Sequence, residues 1–110
     1  MALAEDEIAR LRSQHGIVAL VSFKESSFAP AAEVVVKMPP RGEYKRYRAM
    51  LFDDSQRPMA LETLARACTV YPDKEALDRM EMERPAMWER VGNRVTELAG
   101  GDDDVSVKKL

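Results

Sequence analysis

Only one cysteine, Cys68, and one histidine, His15, occur in the 110 residues. A lone cysteine excludes an intrachain disulfide and suits a reducing compartment. The two residues are also the sole thiol nucleophile and imidazole base. Cys68 falls on the apolar side of its expected helix beside Leu64 and Ala65, where a free cysteine behaves as a small hydrophobe. His15 sits at a helix end, and nothing orients either residue toward the other. With one His and one Cys, a zinc site would need carboxylates at no recognisable spacing. The run Asp102-Asp103-Asp104 lacks the spaced ligands of a calcium loop. Glycine is scarce, at five residues, and none follows the spacing of a phosphate loop. The longest apolar run, Ile17 to Val21, is far too short to cross a bilayer. The first residues, Met1-Ala2-Leu3-Ala4-Glu5-Asp6-Glu7, lack the basic start and apolar stretch of a signal peptide. The expectation is a cytoplasmic protein with no catalytic residues, no cofactor, no metal and no membrane partner. No sign of charge dominates either: the net charge is −2 and the pI near 5.5. Nucleic acid is therefore a poor first choice of partner.

Hydrophobic residues make up 45% and charged residues 33%, which is ordinary globular usage and argues against a disordered chain. The length fits one core. Residues 2–14 read as a helix, with Ala4, Ile8 and Leu11 on one face and His15-Gly16 as its stop. Residues 17–24 and 33–38 read as strands. In the second, Val34, Val36 and Met38 point one way and Glu33, Val35 and Lys37 the other. The connector between them either exposes or tucks in Phe28. Helices follow: residues 43–52, with Tyr44, Tyr47 and Leu51 inward; a helix from Pro58, with Leu61, Leu64, Ala65 and Cys68 inward, ending at Tyr71-Pro72; a short helix capped by Asp73, with Leu77 and Met80 inward; and a last helix from Pro85, with Trp88, Val91, Val95 and Leu98 recurring on one face. Gly100-Gly101 ends it. The expected fold is α+β: a two-stranded antiparallel sheet with about five helices and a mostly helical C-terminal half. It forms one domain over residues 1–100, followed by a flexible polar tail over 101–110. The predicted core is Trp88, Val91, Val95, Leu61, Leu64 and Leu77. Two strands leave open edges, so a homo-oligomer, or a partner that adds a strand, is expected.

Two features point to binding. Arg41, Lys45 and Arg48 share a helix face at i, i+4, i+7 and surround Tyr44 and Tyr47. This is an amphipathic helix with its charges outward, suited to an acidic protein partner. The alternative is a small nucleic-acid-binding regulator that uses Arg41 to Arg48. The second feature is Met82. If Leu77 and Met80 point inward, Met82 points out, and a flexible surface methionine suits partners of variable shape. The candidate protein-binding residues are Arg41, Lys45, Arg48 and Met82.

A strand ending in Lys37-Met38-Pro39-Pro40-Arg41 leads into Glu43-Tyr44-Lys45-Arg46-Tyr47. A helix then closes on Cys68-Thr69-Val70-Tyr71-Pro72. An acidic helix over 73–84, a restart at Pro85 and a last helix ending in Glu97-Leu98-Ala99-Gly100 complete the order. From about Glu33 onward this order resembles the tail assembly chaperones of tailed bacteriophages. The resemblance implies a non-catalytic protein of the host cytoplasm, absent from the finished virion, that keeps the tape measure protein soluble during tail assembly. It also implies a longer form made by a −1 ribosomal frameshift, which would contact the tail tube protein. Val107-Lys108-Lys109 and Ala99-Gly100-Gly101 permit slippery heptamers. The resemblance assigns no individual partner-binding residue.

Overall fold

The computed structural model describes residues 3–100 together with 108 and 109. Helix α1 spans Glu5–His15, strand β1 Val18–Phe23, β2 Ala32–Lys37, helix α2 Arg41–Leu51, α3 Arg57–Cys68, β3 Thr69–Tyr71, α4 Lys74–Glu83 and α5 Met87–Leu98. The sheet is antiparallel, in the order β1-β2-β3. The class is α+β with five helices among the described residues.

The expected two-stranded sheet is corrected to three strands. Helix α3 stops at Cys68, and Thr69 turns extended at φ −80° and ψ 124°. Thr69, Val70 and Tyr71 are branched or aromatic residues that fit a pleated surface. Val35 pairs with Tyr71 and Val36 with Thr69, and the register shifts between the two pairs. Val70 is the extra residue, a β-bulge that lets a very short strand close one edge of β2. The chain then leaves through a cis Tyr71–Pro72 peptide. The Asp73 carboxylate accepts from the Ala76 N–H at 2.9 Å and caps α4, as expected for an N-cap aspartate.

Strands β1 and β2 pair from Val18↔Lys37 to Phe23↔Ala32. Alternation sends Ala19, Val21 and Phe23 with Val34 and Val36 to one face. There they meet Leu64, Ala65, Cys68, Met87, Trp88, Val91 and Val95 in a single core. On the opposite face, where Glu33, Val35 and Lys37 point, Val35 is also buried. Helix α1 covers that side. Its residue Leu11 is buried outside the main core, it packs on β1, and the Leu3 N–H donates to Glu33 Oε1 at 2.6 Å. Gly16 ends α1 at φ 78° and ψ −122°, a conformation that needs glycine, and its N–H donates to the Arg12 carbonyl at 2.8 Å.

Four of the six residues expected in the core, Leu64, Trp88, Val91 and Val95, are buried, while Leu61 and Leu77 are half-buried. Helix α4 buries no residue fully. Leu77 and Met80 only pack against the rim of the core. Tyr44 and Tyr47 of α2 do the same, and Met50 rather than Leu51 is the buried residue at its end. The tail expected over 101–110 lies outside the described residues except for Lys108 and Lys109, which are exposed and without regular structure.

Candidate functional site

The basic face of α2 is built as the spacing implies. Pro40 stands at the N-cap and Arg41 is the first helical residue. The Tyr44 and Tyr47 rings lie 5.6 Å apart, tilted by 55°, and pack toward the core. Burial, and to a smaller extent the neighbouring Tyr44, pushes the Tyr47 hydroxyl pKa up. Arg41, Lys45 and Arg48 are all exposed. Among the described residues no carboxylate lies within 4.0 Å of any of them. Met82 stands on α4 and is 85% exposed. Helix α2 packs on α3, whereas α4 packs on α5. The four residues thus occupy two separate elements instead of one continuous patch.

Cys68 is buried in the core, and that burial pushes its thiol pKa up, away from the thiolate that nucleophilic work requires. His15 is exposed at the end of α1. Among the described residues no three His, Cys, Asp or Glu side chains cluster as metal ligands. No described helix is long and apolar enough to cross a membrane.

A second surface was not anticipated. Between β1 and α5 runs an open groove of about 970 Å³. Val21, Phe23 and Met87 form its floor, and Lys24, Arg84, Arg90 and Arg94 stand around it with, among the described residues, a single carboxylate, Glu97. Glu97 is already held by Arg94 Nη1 at 2.6 and 2.7 Å. Arg84 closes one end. Its Nη1 donates to the Pro30 carbonyl at 2.7 Å and its Nη2 to the Lys24 carbonyl at 2.6 Å. Its guanidinium lies 5.3 Å from the centre of the Phe23 ring. Arg84 therefore clamps both ends of the connector between β1 and β2. Within that connector, Ser26 Oγ accepts from the Phe28 and Ala29 N–H groups, each at 3.2 Å. The Phe28 side chain, left open by the sequence, is 92% exposed. The one sequence signal for the groove was Arg90, Asn93, Arg94 and Glu97 at i, i+3, i+4, i+7, on the side of α5 away from Trp88, Val91 and Val95.

Comparison with known proteins adds fold and family. No curated protein matches the chain. A solved structure that resembles it is an uncharacterised protein, rbstp2171, from Bacillus stearothermophilus. The two superimpose with a TM-score of 0.71 at 20% identity, covering 92% of this chain and 99% of that one; at that identity the likeness shows a shared fold. The model of the family described as a domain of unknown function, DUF6848, matches residues 11–108, and the chain belongs to that family.

Proposed function

We propose that the chain is a non-catalytic protein-binding factor that acts as a tail assembly chaperone, holding the tape measure protein soluble while a phage tail is assembled. The observation that carries the binding part is the set of large apolar side chains left exposed: Ile17, Leu20, Phe28, Phe52, Met59 and Met82. Single exposed hydrophobes are normal. Here several stand on regular elements or on a hydrogen-bonded loop, so they are presented without a large ordering cost. Methionine at two of the six positions adapts to clients of varied shape. The cationic face of α2 adds charge steering toward an acidic client. The phage-specific part rests on the resemblance from Glu33 onward, and with it come the host cytoplasm as location, absence from the virion, and a frameshifted longer form that contacts the tail tube protein.

Co-expression with the tape measure protein of the same genome tests the reading. The expected result is a rise in soluble client and co-purification of the two. Arg41→Glu with Lys45→Glu, or Met82→Ser, should weaken the pull-down while leaving the melting temperature unchanged. A client equally soluble with and without the chain overturns the proposal.

The exposed cations of α2 also favour a second reading, a nucleic-acid-binding regulator. Binding of that kind weakens steeply with salt, because each phosphate contact releases counterions. Oligonucleotide binding that is absent at low salt removes it.

A further inference from the structure

The groove between β1 and α5 and the free edge of β1 form one continuous feature. The Met38 N–H donates to the Ile17 carbonyl at 2.9 Å, and Ile17 and Met38 continue the register of the ladder. This fixes its phase. The backbones of Ile17, Ala19, Val21 and Phe23 point at β2, and those of Val18, Leu20, Ser22 and Lys24 point away. The Lys24 carbonyl is taken by Arg84. Among the described residues the outward N–H and C=O groups of Leu20 and Ser22 have no partner, and Ser22 lines the groove. An unpaired edge of this kind is a template for another strand.

We infer that this groove takes an extended acidic segment of a partner protein, which pairs its backbone with the outer edge of β1 and sets its carboxylates against Lys24 and Arg90. The inference rests on the protein-binding reading and names the chemistry of the partner. Charge complementarity chooses the occupant. The chain as a whole is acidic, at −2, yet among the described residues Lys24, Arg84, Arg90 and Arg94 line this groove against one carboxylate, Glu97, and with the Arg94–Glu97 pair set aside three cations remain. Half-buried Phe23, with exposed Pro85 and Ala86, meets the inward side chains of a strand with alternating apolar and acidic residues, since Val21 and Met87 are themselves almost fully buried. A nucleic acid fits less well. Phosphates only accept hydrogen bonds, whereas a strand edge offers donors and acceptors in alternation. The one aromatic ring in the groove, Phe23, lies under Arg84, leaving no open ring on which a base could stack.

The test is fluorescence anisotropy of the full chain with a labelled eight-residue peptide alternating valine and glutamate. The expected result is saturable binding that weakens with salt, with a valine–lysine peptide at least about tenfold weaker. Lys24→Glu with Arg90→Glu should weaken binding about fivefold or more. Lys24→Gln with Arg90→Gln should weaken it less, and Arg41→Glu with Lys45→Glu should leave it unchanged. Both groove residues are exposed, and an unchanged melting curve verifies that each variant folds. N-methylation of the peptide amides that face β1 should abolish binding, while methylation of the alternate set should not. Equal binding of the two peptides, or unchanged binding in the charge-reversed groove, overturns the inference. Oligouridylate that binds at the same arginines more tightly than the peptide also overturns it. Indifference to which amides are methylated overturns the strand pairing. Loss of peptide binding with client solubility intact sinks the groove alone. Loss of client solubility with peptide binding intact sinks the chaperone reading alone.

Discussion

The Arg66 guanidinium lies 4.5 Å from the centre of the Trp88 ring. Trp88 is 3% exposed and carries the core side of α5. Arg66 Nε donates to Glu62 Oε2 at 2.9 Å on its own helix, and its Nη2 reaches both Glu81 oxygens of α4 at 3.2 Å. One arginine thus joins α3, α4 and α5 over the largest core ring, and its stem covers apolar surface. Trp88→Ala is expected to cost about 3–5 kcal/mol. Arg66→Ala should cost only about 1 kcal/mol, because its ion pairs are exposed and a cation over a ring at such a site contributes about 0.5–1 kcal/mol. Urea unfolding of both variants checks the ranking. Near-equal losses would show that the cap matters as much as the ring.

Gly92 is buried where α5 crosses α3. In a helix interior, alanine is ordinarily better than glycine by about 1 kcal/mol. Here an added Cβ would sit 2.5 Å from Leu61 Cγ, 2.8 Å from Leu61 Cδ1 and 3.1 Å from the Leu61 carbonyl oxygen. The backbone oxygen cannot swing away as a side chain can. Gly92→Ala is therefore expected to destabilise by about 1–3 kcal/mol despite its helix propensity. Leu61→Ala in the same chain should recover part of the loss, which a double-mutant cycle measures. A stabilised Gly92→Ala variant would refute the close crossing.

These two sites show what periodicity conveys. Trp88, Val91 and Val95 are legible because an apolar stripe at helical spacing must face something. The close approach at Gly92 is not, because it depends on which helix lies opposite. Strand β3 is illegible for a similar reason. Thr69-Val70-Tyr71 is too short to alternate, and it becomes a strand only because β2 lies beside it. Alternation puts Val35 on the face opposite Val34 and Val36, but it does not say that this face is covered as well. The surface charges divide likewise. Arg41, Lys45 and Arg48 are read from one helix, whereas Lys24, Arg84 and Arg90 come from three segments that the fold alone brings to one groove.

Burial holds the Cys68 thiol above its ordinary pKa, so the folded state keeps a proton that the unfolded chain releases. Stability should therefore fall as the pH rises through the unfolded thiol's range, and Cys68→Ala should remove that part of the slope. Native protein is expected to react with a thiol reagent only at the rate of global unfolding. Rapid modification at neutral pH would place the thiol at the surface. Because Cys68 fills space between α3, α5 and the sheet, Cys68→Ala itself is expected to cost about 1 kcal/mol through the lost contacts.

The last prediction concerns the edge of β1. Ile17 and Leu20 are exposed beside it, and Val18, Leu20 and Ser22 direct their backbone groups outward. No proline lies within Val18–Phe23, and no charged side chain does either, so the usual guards of an edge strand are missing there. Strand β3 closes only the far edge of β2. A second copy can add its own β1 in antiparallel fashion, with Leu20 near the two-fold axis, since an isologous contact needs one self-complementary strip. Multi-angle light scattering across a concentration series should show a reversible shift from monomer to dimer. Leu20→Lys should move that shift at least about tenfold higher in concentration, by placing like charges close together across the axis. Leu20 lies on the sheet face opposite the main core and is 46% exposed, so the substitution should leave the melting temperature within a few degrees. Because the acidic peptide and the second copy would use the same edge, saturating peptide should dissociate the dimer. A strict monomer at every concentration removes the self-association and leaves the peptide groove untouched.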